Sequence, residues 1–413
     1  MTAPRFLPLY ACFAAAYVLS YTYRTVNAVI SPDLTASLGI SASSLGLLTS
    51  AYFVAFASMQ IPCGILLDRY GPRRVEPVLL VAAASGAVAF AASDTLGELT
   101  AARALIGAGV AVCLMAPVKA IATWYPRERQ PSLGGWMMFA GGVGALISTT
   151  PLASALDVMS WRAIFVVLAI ATLGAAIAIA LVVPDTPREL RAAAAQGAWR
   201  GMRHVYGHAR LWWIAPLTAL GNGSLMAIQG LWSVPWMMEV DGFTRAQAAD
   251  HLLAMGLTTL GGYAFVALAS TRLARIGIGP RHLVIGGYGL QVAMLALIVT
   301  SALRFTYLLW ALYGLSAAIN ILGYLLLTEG FPRELAGRAT TALNLVMFTT
   351  TFAVQWGIGA MADAARAAFR LDLGSGLRAA FALIVVAEVI AYGWFALGWR
   401  RHTVVETLAS APG

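Results

Sequence analysis

The sequence predicts an all-α membrane protein in which twelve transmembrane helices form two six-helix bundles. Three observations support this prediction: the composition, the length of the apolar stretches and a repeat between the two halves of the chain. Hydrophobic residues make up 60% of the 413 residues and charged residues 11%, whereas soluble domains carry roughly a quarter charged residues. The apolar stretches are unbroken, and a spanning helix needs about 20 apolar residues. A β-barrel would instead show roughly ten-residue alternating segments.

The apolar stretches follow one another along the chain, and each is predicted to form one helix. They lie at about 9–32, 45–67, 76–94, 98–123, 133–155, 161–183, 211–238, 249–271, 282–301, 305–329, 338–361 and 378–398. The longest break separates the first six stretches from the last six. We therefore predict an N-terminal bundle over 1–184, a cytoplasmic linker over 185–210 and a C-terminal bundle over 211–413.

Short motifs recur in the two halves at corresponding positions. The segment "WYPRERQ" follows the fourth stretch and "GFPRELAG" follows the tenth. Similarly, "SPDLTASLGIS" after the first stretch matches "VPWMMEVDGFT" after the seventh, pairing Gly39 with Gly242. The loop "DRYGPRR" between the second and third stretches corresponds to "ARIGIGPRH" between the eighth and ninth. Three matches in the same order indicate a tandem duplication of six helices.

The net charge of +9 and the isoelectric point near 9.7 follow from the placement of the arginines. Most of them fall in the linker and in alternate loops on the side that carries both termini, as the positive-inside rule requires of cytoplasmic segments. The charge is thus explained without a nucleic-acid partner. We predict a multi-pass protein of a bacterial inner (plasma) membrane, surrounded by lipid, with both termini cytoplasmic.

The sequence indicates no catalytic, metal or cofactor site. Cys12, Cys63 and Cys113 all lie in apolar stretches, and the five histidines lie in or near predicted loops. The single lysine, Lys119, rules out a Gly-x-x-x-x-Gly-Lys-Ser/Thr phosphate-binding loop. No triad or paired-carboxylate arrangement for hydrolysis is evident, so we predict that the protein is not an enzyme.

The segment "GILLDRYGPRR" resembles the signature loop between helices two and three of the major facilitator superfamily. The resemblance implies a transporter that works by alternating access, in which Asp68, Arg69 and Arg73 latch the two halves together on the cytoplasmic side. The segment "RALIGAGV" resembles the arginine-and-glycine motif of the fourth helix in this family, with Arg103 as its arginine. We group these four residues as predicted gating residues.

Two cations lie inside predicted helices. Arg24 precedes Pro32 by eight residues, which places it about 12 Å below that helix end at about 1.5 Å per residue. A charged side chain at mid-bilayer costs roughly 2.5–3.5 kcal/mol on insertion scales. Lys119 lies in "LMAPVKAIATWY", within reach of the cytoplasmic end by snorkelling. The economical interpretation is that both face a watery cavity between the halves, where transporters bind solute near the midplane.

The segments "YTYRTVNAVISPDL" and "PVKAIATWYPRER" resemble the first helix and the end of the fourth helix in organophosphate:phosphate antiporters and anion:cation symporters. The former family has a second arginine in helix seven, which "GSLMAIQGLWSVPW" lacks. A positive cavity with few acidic neighbours favours a small organic anion such as a carboxylate, which a guanidinium binds in a bidentate manner.

The sequence therefore predicts a monomeric secondary transporter of a small organic anion. The alternatives are efflux of amphipathic or drug-like compounds and a transporter-like solute receptor. For any single polar candidate, hydrogen bonding between helices is as good an explanation as contact with solute. The candidate solute-binding residues are Tyr21, Arg24, Asn27, Lys119, Asn222, Gln229, Trp232, Asn320, Tyr324, Asn344, Gln355 and Trp356.

The driving ion is left open by the sequence. Glu388 is the one carboxylate that we place near the middle of a predicted span, but it belongs to helix twelve, which the family resemblance puts at the periphery. With no central acidic residue identified, proton symport and exchange against a counter-anion remain equally compatible with the sequence.

Overall fold

The computed structural model describes residues 6–126, 129–185, 203–277, 280–301 and 305–409. Within these ranges the chain is helical without strands and forms twelve long rods, which confirms the predicted fold class. The first six are α1 (Phe6–Leu38), α2 (Ala42–Ser58 and Gln60–Tyr70), α3 (Pro72–Ala92), α4 (Leu96–Val110 and Met115–Trp124), α5 (Gln130–Ile147 and Thr150–Leu156) and α6 (Trp161–Val182). We refer to α1–α6 as the N-terminal half.

The other six rods form the C-terminal half. They are α7 (Ala209–Ala227, a π turn at Ile228–Trp232 and Ser233–Glu239), α8 (Arg245–Arg275), α9 (Pro280–Thr300), α10 (Thr306–Ser316, a 3₁₀ turn at Ala317–Ile319 and Asn320–Thr328), α11 (Arg333–Phe369) and α12 (Leu373–Ala409). Eight described helices are long and apolar enough to cross a membrane, and the two segments of α2, bent by 44°, make a ninth when taken together. The remaining rods, α1, α8 and α10, pack among these.

Glycines set the turns at matching places in the two halves. Gly39 ends α1 with φ +60°, and Gly242 follows α7 with φ +72°, a region that residues with a Cβ rarely adopt. The two positions were paired by the sequence repeat. Gly71, with φ +80°, forms the tight turn between α2 and α3, and Pro72 begins α3, where its missing N–H costs nothing.

The two ends of the bundle differ in how the halves are joined. We call the end with Asp185 and His208 the linker end and the end with the α1–α2 and α7–α8 loops the far end. At the far end, Arg245 of α8 forms an ion pair with Asp33 of α1 at 2.8 Å, and the Ser43 N–H donates to Asp363 of α11 at 2.8 Å. At the linker end, Arg74 of α3 pairs with Asp185 at 2.8 Å and Lys119 of α4 pairs with Asp68 of α2, so neither of these two ion pairs involves a helix of the C-terminal half. The far end is therefore closed by polar contacts between the halves.

Close helix contact reinforces this closure. The far-end segment of α2 packs along α11, so that a Cβ on Gly46 would lie 2.9 Å from the carbonyl oxygen of Gln355. A Cβ on Gly359 would press against the backbone of Ala42 and Ser43. Small residues permit such close approach between membrane helices. In α5, the space beside Gly142 is filled by Leu260 of α8.

Candidate functional site

Arg24 lies at the boundary between the halves in a cage of aromatic rings. Its side chain is only 6% exposed. The guanidinium carbon lies 4.4 Å from the ring centre of Tyr21, 5.2 Å from that of Phe56 and 5.7 Å from that of Phe348. Phe348 belongs to α11, so both halves contribute to the cage. Cation–π contacts of this kind stabilise a desolvated cation by about 2 kcal/mol.

Tyrosine hydroxyls surround the same cation. Tyr17 and Tyr52 of the N-terminal half interact electrostatically with Arg24, and Tyr52 also lies within hydrogen-bonding reach of it. Tyr263 and Tyr324 of the C-terminal half interact with it from the other side. No carboxylate is among the described groups that act on Arg24.

Within the part of the chain that the structure describes, the Arg24 guanidinium is thus a buried cation without an anionic partner. Its Nε is buried and has no hydrogen-bond partner. An uncompensated buried charge is costly, and aromatic rings offset only part of this cost. The arrangement is suited to an anion that enters between the halves and contacts the guanidinium directly.

Several other candidates lie near this cage. Tyr324 donates a hydrogen bond to Asn344 Oδ1 at 2.5 Å, which links α10 to α11. Trp232 lies in the π turn of α7 and donates from Nε1 to the Gln355 carbonyl at 2.8 Å. The Gln355 side chain is fully buried, and neither of its amide atoms has a hydrogen-bond partner.

The remaining candidates are placed differently. Asn27 is fully buried and donates to Thr49 Oγ1 at 2.8 Å, so it joins α1 to α2. Trp356 is 42% exposed and stacks on Phe352. Asn222 and Gln229 on α7 are half-buried. Asn320 begins the last segment of α10, and its side chain lies outside the described residues.

Lys119 has a carboxylate partner, contrary to the reasoning that grouped it with Arg24 as a cation awaiting a solute. Its Nζ lies 2.5 Å from Asp68 Oδ1, and both side chains are about one-third exposed, at 31% and 33%. The ammonium extends from α4 to the α2–α3 turn at the linker end, as snorkelling allows. Its charge is therefore neutralised within the N-terminal half.

The other predicted gating residues also bond inside the N-terminal half. Arg73 donates from Nε to the Ala180 carbonyl of α6 at 3.0 Å, and Arg69 lies over the Tyr70 ring at 5.2 Å. Arg103 is fully buried and donates to the Tyr23 carbonyl at 2.8 Å. This hydrogen bond joins α4 to α1 at the residue that precedes Arg24.

We expect the variant Lys119→Gln to bind solute with a dissociation constant that differs from the wild-type value by at most about fivefold. The reason is that partly exposed ion pairs contribute roughly 0–1 kcal/mol. Titration calorimetry on purified protein measures this constant. The matched variant is Asp68→Asn, which removes the other member of the pair and should behave alike. A far larger loss of affinity in Lys119→Gln but not in Asp68→Asn would show that Lys119 contacts the solute.

Sequence reasoning missed the buried carboxyl group of Glu76 and three tyrosines beside Arg24, namely Tyr17, Tyr52 and Tyr263. Glu76 of α3 is fully buried beside Cys113, whereas the predicted helix began at that residue. Glu388 lies on α12, the helix that the family resemblance puts at the periphery, but its side chain is 2% exposed and packs inward against α7 and α9. Tyr17 could have been found, because it shares a helical face with Tyr21 and Arg24 at intervals of four and three residues.

Comparison with known proteins gives the family. The profile of the Major Facilitator Superfamily matches residues 13–355. The chain is 31% identical over 160 residues to a protein named "Probable L-galactonate transporter" of Escherichia coli K12, covering 38% of this chain and 34% of that protein. It is 29% identical over 150 residues to the hexuronate transporter of the same organism, covering 36% and 35%. A "Probable sulfoacetate transporter" of Cupriavidus necator is 24% identical over 246 residues, covering 56% and 57%.

The matched segments thus span about a third to somewhat over half of these relatives. Among solved structures, a bacterial homologue of the human lysosomal transporter Spinster, inward-facing and unoccupied, has a TM-score of 0.72 at 18% identity, covering 95% of this chain and 96% of that one. A D-xylose–proton symporter has a TM-score of 0.73 at 16% identity, covering 94% and 97%. At identities this low, the structural similarity establishes the fold alone. Because the family profile covers most of its length, the chain belongs to the Major Facilitator Superfamily and is a multi-pass membrane protein.

Proposed function

We propose that the protein is a secondary active transporter of a small organic anion of the sugar-acid class. The observation that supports this most strongly is Arg24, a buried guanidinium at the boundary between the halves that has no acidic partner among the described residues. A carboxylate fits a guanidinium in bidentate geometry. Its charge would offset the cost of burying Arg24, so binding removes an electrostatic penalty as well as adding contacts.

The surroundings of Arg24 favour a hydroxylated anion over a plain fatty or aromatic acid. A tyrosine hydroxyl both donates and accepts hydrogen bonds, and an asparagine amide does the same. Tyr21, Tyr52, Tyr263 and Tyr324 supply such groups, with Asn344 beside Tyr324. The galactonate and hexuronate transporters to which the chain is similar are named for molecules with one carboxylate and several hydroxyls, and we extend that class to this chain.

Transport would follow from rocking of the two halves about the Arg24 region. The far end is closed by the Asp33–Arg245 ion pair and by the contact of α2 with α11. We propose that opening this end requires breaking these contacts, while Asp68, Arg69 and Arg73 act at the linker end in the opposite state. We further propose that the linker end is cytoplasmic, in a bacterial inner membrane, and that a monomer suffices for transport.

We expect D-galacturonate to raise the melting temperature of the purified protein, while neutral D-galactose does not. A ligand at 100 times its dissociation constant stabilises the folded state by about 2.7 kcal/mol, and the two sugars differ only in the carboxylate. Differential scanning fluorimetry in detergent measures the effect. An equal shift with galactose would contradict an anion site, and a shift produced by amphipathic cations alone would favour the efflux alternative.

A further inference from the structure

Glu388 of α12 is a buried carboxyl group that the proposed solute site does not use. It lies about 22 Å along α12 at about 1.5 Å per residue, near the middle of the span Leu373–Gly398. Its Oε1 accepts hydrogen bonds from the Ser224 hydroxyl of α7 and from Gln291 Nε2 of α9, the latter at 3.2 Å. Its Oε2 is buried and has no hydrogen-bond partner.

Among the residues that the structure describes, none places a compensating cation beside Glu388. α7, α9 and α11 pack against α12, and the titratable groups that act on or beside Glu388 are Tyr288 of α9 and Tyr313 of α10. Both hydroxyls are buried, that of Tyr288 beside Thr218 and that of Tyr313 beside Ser224. Neither α7 nor α11 directs a titratable group to it, and among the described residues no arginine, lysine or histidine does so.

We propose that Glu388 is a proton-binding site that couples transport to protons, with Oε2 as the atom that takes the proton. An ionised carboxylate is costly to bury without a cation, so the occluded arrangement favours the acid. Oε1 already accepts hydrogen bonds from two neutral donors. The same donors would stabilise the ionised carboxylate once water reaches the site. The group can therefore exist in either form, as a carrier must.

α7 provides the connection between Glu388 and the solute cage. It carries Ser224, which bonds to Glu388, and one turn later it carries the π turn at Ile228–Trp232. Within that turn, a Cβ on Gly230 would lie 3.4 Å from the Arg24 carbonyl oxygen. Any change of hydrogen bonding at Ser224 that shifts α7 therefore acts on the helix that carries Arg24. π turns within α-helices occur frequently at functional sites.

The first test requires no solute, so its result does not depend on the proposed function. Infrared difference spectra of the reconstituted protein would be recorded between about pH 5 and about pH 9, a range that covers strongly shifted glutamates. We expect a protonated-carboxyl C=O band that disappears as pH rises and is absent from Glu388→Gln. If the wild-type protein lacks a titrating band, or if Glu388→Gln retains it, the inference is overturned.

Two further variants sharpen this measurement. Glu76→Gln removes the buried glutamate of the other half and should leave the band in place; loss of the band in this variant instead would move the proton site to Glu76. Ser224→Ala should shift the band to higher wavenumber, because a carbonyl that accepts fewer hydrogen bonds vibrates at a higher frequency. This shift also keeps the assignment testable if Glu388→Gln fails to fold.

The second test rests on the proposed function and uses D-galacturonate in proteoliposomes. We expect Glu388→Gln to exchange labelled for unlabelled solute at a rate within about threefold of wild type, while losing accumulation driven by an imposed pH gradient. Accumulation at the wild-type level would overturn the coupling role. If neither protein transports galacturonate, the proposed substrate class has failed, whereas the infrared result stands by itself.

Discussion

Arg24→Ala is expected to weaken solute binding by about 30-fold to several thousand-fold, because truncating one partner of a buried charge pair costs about 2–5 kcal/mol. The substitution removes the one cation at the centre of the aromatic cage. Arg24→Lys should bind with an intermediate constant, since an ammonium keeps the charge but loses the planar, bidentate geometry. Titration calorimetry with D-galacturonate provides the constants, and uptake by proteoliposomes should fall in the same order.

The control must show that losing an arginine from a spanning helix is not harmful in itself. Arg162, near the start of α6, forms an ion pair with Asp94 at 2.6 Å and lies over the Trp161 ring. We expect Arg162→Ala to bind solute as the wild-type protein does. A folded Arg24→Ala protein that binds and transports with wild-type constants would remove the basis of the proposed site.

Gly359→Ala should prevent the far end from closing. The added methyl group would meet the carbonyl of Ala42 and the Cα of Ser43, and backbone atoms cannot move aside unless α2 moves as a whole. Overpacking of this kind costs about 1–3 kcal/mol. At 1.4 kcal/mol per tenfold change in an equilibrium constant, the closed state should become about 5- to 150-fold less populated, and transport should slow accordingly.

Gly357 supplies the matched control for this substitution. It lies two residues earlier in the same helix, and the nearest atom to an added Cβ is Met361 Cε at 3.9 Å. Gly357→Ala should therefore leave the equilibrium unchanged. Pulsed electron paramagnetic resonance between spin labels at Val158→Cys and Phe369→Cys, one exposed position on each half at the far end, measures the opening. Identical distance distributions in the two alanine variants would refute the steric argument.

The fold could be predicted from the sequence because the bilayer imposes helix length and hydropathy on every span. The repeat then indicated two related halves. Arg24 could be singled out for the same reason, since one guanidinium deep in an apolar helix has few acceptable environments. These inferences need only local sequence and the properties of lipid.

Partners distant in the sequence could not be predicted. Asp68 is 51 residues from Lys119, and Ser224 is 164 residues from Glu388. A membrane helix that is apolar on all sides does not reveal which face meets lipid and which meets protein. For that reason the inward-facing contacts of Glu388 could not be foreseen and Glu76 was overlooked, although both lie in helices whose existence was correctly predicted.

The three native thiols lie where labelling reagents in water reach them slowly. Cys12, Cys63 and Cys113 are all buried, and a thiol shielded from water in apolar surroundings reacts slowly with alkylating reagents. An introduced surface cysteine would then carry nearly all of an added fluorophore. Motions of this protein can thus be followed by labelling introduced cysteines, without first replacing the native cysteines of its N-terminal half.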